Sequence, residues 1–533
     1  MSPVSTSVSH PASGPEPEPQ AAAAAPGAVR DGSLRGRAGA ALRRVTGRIP
    51  PRLRFPLGVA LLTQAVLLVW WAAFYPGLMS YDTIAYTFET TSGHPWVDDH
   101  SIAYDSAVWL SLTVTGDYAL LTFAQVLVAG AIVGYLAAGL RKFAVGPRWI
   151  VAGALLFAVL PTTGAFTVWV WKDVPFVLGA SLCFAALVHL TADALRGPRH
   201  TRLTGQRRDW LLLSLALLLT CLARNNGFLT ALIAGAVLLF PLRRAWRRIL
   251  VAVLVPVVLF FGLDLGLYPA LGVVKPANYA GNTFFYADIA YVYSKAPGTF
   301  TPADTALMAK VAPLKHWSST GADCYDTDYL TSGGFSQSAA NRLNRPLVRL
   351  FLRTVKRSPD VVLDATLCRA HPAWAVFPGA DPISVPGTGW SPDLYGYARS
   401  QPAMYTSKYY PVMRPHSLFA PLHGAARFWY SLLTVPQLRW LLWGGAVWCY
   451  VAYLLVLRLA WRLRRTDVLA LAVATAAFQL TVVVGSPSPL YRYMAGPTLV
   501  GVLALPLLFS RLGRGADAEA DSGADAGAGH EPG

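Results

Sequence analysis

Residues 119–140 read ALLTFAQVLVAGAIVGYLAAGL, with no charged side chain, and Arg141 and Lys142 follow at once. A helix crosses a bilayer core with about 20 apolar residues. Inside lipid, every backbone N–H and C=O must be bonded within a helix or a closed barrel. The stretch reads as a membrane span and its basic flank as the cytoplasmic side. Working outward, the pattern recurs at 57–74, 149–170, 174–195, 210–223, 226–240, 249–270, 437–459, 466–485 and 494–510. The fold class expected is an all-α polytopic membrane protein of about ten transmembrane helices, the fifth and sixth being short.

Arginines cluster at alternate connections. Arg141, Lys142 and Arg148 follow the second span, Arg196, Arg199, Arg202, Arg207 and Arg208 the fourth, and Arg243, Arg244, Arg247 and Arg248 the sixth. Arg458, Arg462, Arg464 and Arg465 follow the eighth, and Arg511 and Arg514 the tenth. The positive-inside bias predicts both termini in the cytoplasm and every odd-to-even connection outside the cell membrane. The net charge of +17 is thereby assigned to anionic membrane lipid, and no nucleic-acid partner is expected.

Five segments follow. Residues 1–54 are a basic arm and 512–533 a tail, both too poor in apolar residues to order themselves. No cleavable signal peptide is expected, because the first apolar run begins after residue 55 and is long enough to span. Residues 55–270 form an N-terminal bundle of about seven spans with an outer loop at 75–118, and 436–511 a C-terminal bundle of about three. Between them, 271–435 is an extracytoplasmic, mostly helical insertion, and a loop of that length implies function. Thr301-Pro302-Ala303-Asp304 and Ser358-Pro359-Asp360 each open a helix. Leu347, Leu350, Phe351 and Val355 share one face of an amphipathic helix, which either lies in the interface or packs on the spans. Residues 374–420 read as an irregular wall. Cys324 and Cys368 fall in this oxidising compartment and are expected to form a disulfide, whereas Cys183, Cys221 and Cys449 are core residues.

Ionisable groups at the outer boundary are costly without a partner or a task. Asp82, in Pro76-Gly77-Leu78-Met79-Ser80-Tyr81-Asp82, can take a proton from a hydroxyl or cap the helix that follows. His94, Asp98, Asp99, His100 and Asp105 share its loop, at spacings that match no strict metal-ligand pattern. Trp171-Lys172-Asp173 is a self-satisfying pair or a phosphate contact. Arg224-Asn225-Asn226-Gly227 puts a guanidinium and two carboxamides where an anion would be held. Tyr491-Arg492-Tyr493 precedes the last span, with Tyr491 either an interface residue or part of the site. Asp264, near the outer end of the seventh span, pairs with one of these cations.

In these residues and their order, residues 55–510 resemble the GT-C fold, the polytopic membrane glycosyltransferases that use polyprenyl-phosphate sugars. The resemblance implies that Asp82 is the general base and that Lys172, Arg224 and Arg492 hold the donor phosphate. Asp173, Asn225, Asn226, His100, Tyr491 and Asp264 support them. Many members carry adjacent acids early in the first loop. Here Asp82 stands alone and Asp98-Asp99 come later, so the base is open among Asp82, Asp98, Asp99 and Asp105. A sugar would pass, with inversion, from a polyprenyl-phosphate donor to the hydroxyl of an extracytoplasmic polysaccharide, lipid or protein. No dinucleotide or P-loop motif is present, and no cofactor or metal is called for. The alternatives are a transporter or flippase of lipid-linked substrates, with Pro161 and Pro256 breaking helices, and a silent scaffold binding a partner through its outer loop.

Overall fold

The computed structural model describes residues 49–196, 206–377, 383–388 and 407–512. The tails, Arg199 and Arg202, and much of the irregular wall at 374–420 lie outside the described residues. Every regular element among the described residues is helical, with only isolated bridges between extended residues.

In chain order the principal helices are α1 (Pro51–Ala73), α2 (Tyr81–Thr91), α3 (Ile102–Thr115), α4 (Ala119–Lys142), α5 (Pro147–Val159), α6 (Asp173–Arg196), α7 (Arg207–Ala223), α8 (Gly227–Leu238) and α9 (Trp246–Gly262). After them come α10 (Thr283–Lys295), α11 (Pro302–Ala309), α12 (Asn344–Arg357), α13 (Pro359–Arg369), α14 (Ala420–Leu432), α15 (Gly445–Leu463), α16 (Val473–Gly485) and α17 (Tyr491–Ala504). Seven helical stretches are long and apolar enough to cross a membrane: Pro51–Ala73, Ala119–Lys142, Asp173–Arg196, Arg243–Ala270, Gly445–Leu463, Thr466–Gly485 and Tyr491–Phe509. The three other expected spans coincide with the shorter helices α5, α7 and α8. Leu211, Val251, Val258, Leu454 and Trp461 are exposed. Large apolar side chains left bare along these helices suit lipid contact rather than water.

α6 is the central rod. It is buried on nearly every side from Asp173 to Ala194, as expected of a helix apolar all round. Gly179 lets it approach α7 closely, for a Cβ there would lie 3.0 Å from the Ala216 carbonyl. Its 24 residues make a rod of about 36 Å. At its C-terminal end Lys142 Nζ meets Asp193 (2.7 Å), Arg196 donates to the Lys142 carbonyl and Arg465 to that of Ala194. Basic connections thus gather at one end of the bundle.

At the other end the expected third span departs from a helix. α5 stops at Val159, Pro161 follows, and residues 161–171 continue as turn, 3₁₀ helix and extended chain, all buried. Proline removes a donor and clashes with the preceding turn. The exposed backbone groups are recovered by side chains and by the 75–80 loop. Leu78 N–H donates to Val168 (2.9 Å), Val170 N–H to Leu78 (2.8 Å), Trp70 Nε1 to Ala158, and Gln125 Nε2 to Thr167 and Trp169. Gly77 sits at the closest approach, at φ +152° and with a Cβ position 2.7 Å from Thr122 Cγ2. Pro256, in contrast, lies inside an unbroken α9.

The 271–435 insertion has its own core around α10, with Tyr286, Ile289, Met308, Trp317, Leu330 and Leu350. Tyr286 and Trp317 are fully buried in that core, whereas Tyr329, Phe377 and Phe419 are exposed. α12 packs on α10, Phe351 stacking on Phe285 at 4.3 Å. Arg353 and Arg357 on its polar face both bond Asp304, which closes a capping box with Thr301. Cys324 and Cys368 are bonded, with Cα atoms 5.8 Å apart. Cys183, Cys221 and Cys449 are free and buried.

Candidate functional site

Four separated segments converge at the end of the bundle opposite the basic connections. Ser80 caps α2, its N–H bonding Thr83 Oγ1 (2.9 Å), and Thr83 Oγ1 in turn donates to the Val170 carbonyl (3.0 Å). The cap position being filled by Ser80, Asp82 is not a cap. It lies in the first turn, where the helix dipole favours an acid, and its buried carboxylate faces the bundle.

Asp82 Oδ2 forms an ion pair with Arg492, from the first turn of α17, and Tyr86 donates to the same oxygen at 3.4 Å. Asp173, at the start of α6 and wholly buried, pairs with Arg224 through Oδ1. Its Oδ2 lies 3.7 Å from Arg492 Nη1 and has no hydrogen bond. Arg224 follows α7 in extended backbone and is held between two rings, Phe176 at 5.4 Å and Tyr493 at 4.9 Å. Arg492 lies over Trp171 (5.5 Å) and Tyr493 (5.3 Å). Lys172, in the turn before α6, is within the electrostatic field of Asp82, Asp173 and both arginines.

Three cations therefore face two carboxylates. Burial opposes ionisation of Asp82, but the Arg492 and Lys172 charges prevail and hold its carboxyl down to about 2. Burial also pulls the Lys172 ammonium below its ordinary range, against the attraction of Asp82. Asp99 also lies in the field of Lys172 and Asp328 in that of Arg492, so the three cations sit close together among several acids, and cations gathered in a partly dry place suit a bound anion. The neighbouring cleft is lined by Phe176, Arg224, Asn226, Phe478, Val482 and Tyr493, apolar with polar groups at one side.

The supporting residues divide. His100 bonds Asp99 (2.8 Å) and sets its ring edge-on to Tyr86 (5.1 Å), one residue removed from Asp82. Asn225 donates to the Asp98 carbonyl (3.0 Å), tying the first loop to the α7–α8 hairpin, and Asn226 borders the cleft. Tyr491 is not in the site. It is fully buried and donates to the Thr162 carbonyl, supplying a bond that the break after α5 lost. Asp264 does not pair with Lys172, Arg224 or Arg492. Lys275 takes it, and also binds Asp98 at 2.7 Å.

That arrangement separates the four acids. Burial, helped by the neighbouring Asp264, pushes Asp98 up to about 6 although Lys275 opposes it. Asp105 is wholly buried with neither oxygen bonded, and burial drives its carboxyl well above the carboxylate range. Asp99 is held down by His100 against the effect of burial. Of the four, Asp82 alone pairs with Arg224 or Arg492 among the described residues. Lys275, Phe176 and the Tyr86 hydroxyl escape a reading by motif. Lys275 carried a signal all the same, as a lysine just beyond a span on the side that the charge bias leaves acidic. Among the described residues no three His, Cys, Asp or Glu side chains converge as metal ligands.

The sequence model of a protein family, described as a family of unknown function (DUF6020), matches residues 91–522. No curated protein and no solved structure matches the chain.

Proposed function

The chain belongs to DUF6020, and we propose that it is an integral membrane glycosyltransferase that moves a sugar from a polyprenyl-phosphate donor to an extracytoplasmic hydroxyl. The observation that carries the reading is the buried cluster in which Lys172, Arg224 and Arg492 gather around Asp82 and Asp173. Three cations at one place suit the oxygens of a phosphate. The resemblance to the GT-C fold adds the donor class. In this reading the protein has ten spans with both termini cytoplasmic, and the cluster faces outward with the 271–435 insertion above it.

The chemistry follows from the charges. The acceptor oxygen attacks the anomeric carbon, the bond from that carbon to the phosphate oxygen breaks, and the acceptor proton passes to the Asp82 carboxylate. The polyprenyl phosphate departs with the bonding electrons, so no general acid is needed. Lys172, Arg224 and Arg492 stabilise the charge that grows on it. Attack opposite the departing phosphate, through an oxocarbenium-like transition state, gives inversion.

Purified protein in lipid nanodiscs with radiolabelled polyprenyl-phosphate sugars tests the reading. Asp82→Asn should lower transfer by about 10²–10⁴-fold, the range for losing a general base, and Arg224→Ala by about 10²-fold or more. Transfer or donor hydrolysis at native rates in both variants refutes the assignment. One observation favours a second reading, transport of a lipid-linked substrate. The buried non-helical segment after Pro161 borders the cluster, as broken helices border transporter sites. Uptake into vesicles with no new glycosidic bond would decide for it.

A further inference from the structure

We propose that Arg492 is an exchangeable guanidinium: in the ligand-free protein it holds Asp82, and a phosphate seated on Lys172 and Arg224 draws it away, so the carboxylate is released only when the anion is in place. The inference rests on the phosphate-dependent reading above and adds a coupling to it.

The cations of the cluster are not equivalent. Arg224 is fixed, bonded to Asp173 Oδ1 and flanked by Phe176 and Tyr493. Lys172 makes no hydrogen bond among the described residues, so its ammonium is free to receive a phosphate oxygen. Arg492 has two possible carboxylates. It pairs with Asp82, and Asp173 Oδ2, bare of hydrogen bonds, waits 3.7 Å away. Its own Nε is also unbonded. Trp171 and Tyr493 flank the guanidinium, and stacked rings let it slide while part of its charge stays compensated. Exchanging Asp82 for a phosphate oxygen keeps the guanidinium in a charge-assisted bond of the same kind, and the cost falls on Asp82, which loses its cation.

The consequence concerns Asp82. Paired with Arg492, its carboxyl titrates at about 2, too low to take a proton efficiently near neutrality, since a general base works best with a pKa near the operating pH. Once Arg492 leaves, burial raises its proton affinity, with the Tyr86 hydroxyl as its remaining hydrogen-bond partner. The base is thus available only in the donor-loaded site.

The probe is inorganic phosphate with the full chain in nanodiscs, its binding measured by calorimetry. Water-soluble carbodiimide, which reacts with protonated carboxyl groups, labels Asp82 at about pH 5.5 and is read by peptide mass spectrometry. A carboxyl returning from about 2 to the ordinary range gains tenfold in protonated fraction for each factor of ten in proton affinity, so saturating phosphate should raise Asp82 labelling at least about tenfold. Arg492→Gln should be labelled to that level without phosphate. Binding with Asp82 labelling unchanged or reduced overturns the exchange and leaves the functional reading standing. No phosphate binding by native protein overturns both.

Discussion

Arg492→Gln removes the cation from the most consequential pair in the site. Asp82 has an ordinary carboxyl value of 3.8 and is held at about 2. At about 1.4 kcal/mol for each factor of ten in proton affinity, that gap corresponds to on the order of 2 kcal/mol of stability at neutral pH. In the variant the opposing effect of burial is no longer outweighed, so Asp82 becomes a buried charge with a weakened partner set. Breaking such pairs costs about 3–5 kcal/mol. The sign with pH follows. A depressed carboxyl contributes stability above its unfolded value, lost as pH falls from 3.8 toward about 2. In the variant, protonation of Asp82 relieves the destabilisation before that point. The native protein should therefore exceed the variant most at neutral pH, and the difference should shrink as pH falls through the carboxylate range. Thermal unfolding of both proteins in nanodiscs at a series of pH values measures this. A difference that is large but constant with pH refutes the assignment of Arg492 as the group that holds Asp82 ionised, and a negligible difference at neutral pH refutes the pair.

Three further outcomes are expected. Gly77→Ala places a methyl 2.7 Å from Thr122 Cγ2 and 3.0 Å from the Val168 carbonyl. It should cost about 1–3 kcal/mol and lower sugar transfer by moving α2 and Asp82, checked by unfolding and by the transfer assay. Lys275→Gln leaves Asp98 and Asp264 facing each other without their shared cation. Stability should fall at neutral pH and recover as pH drops, starting above the native Asp98 value of about 6 because Lys275 holds that value down; protonating either acid removes the repulsion, and pH-dependent unfolding measures it. Replacing Cys324 and Cys368 together by serine opens a loop with a sequence separation of 44. Loop-closure entropy puts the loss at about 4 kcal/mol, felt in the 271–435 insertion and read as faster proteolysis there, with the span regions protected as before.

How much was legible from residues alone depended on the range of the forces involved. Apolar runs long enough for a bilayer and arginines at alternate ends are local patterns, so the helical class and the positions of α4 and α6 could be read directly, whereas the span expected at 437–459 is divided between a short helix Pro436–Leu442 and α15. Thr301-Pro302-Ala303-Asp304 is equally local, and it folds as its grammar states. Asp82, Lys172, Arg224 and Arg492 could be nominated because a charge beside lipid is costly wherever it stands. Which of them touch could not be read, because their pairing spans as many as 410 positions between Asp82 and Arg492. Tyr491 illustrates the failure. Beside Arg492 in sequence, it turns away to the Thr162 carbonyl, since successive helical residues point in different directions. The break after Pro161 illustrates another. Composition marks 149–170 as one span, and bonds from Trp70, Gln125, Tyr491 and the loop around Gly77 support a non-helical course there. Sequence by itself determined the solvent, the helices and the short list of misplaced charges, because these follow from composition and local periodicity. Tertiary structure alone decided that Asp82 meets Arg492, that Asp264 goes to Lys275 and that Asp105 is left without a partner, because distant helices must first pack before those charges share one low-dielectric space.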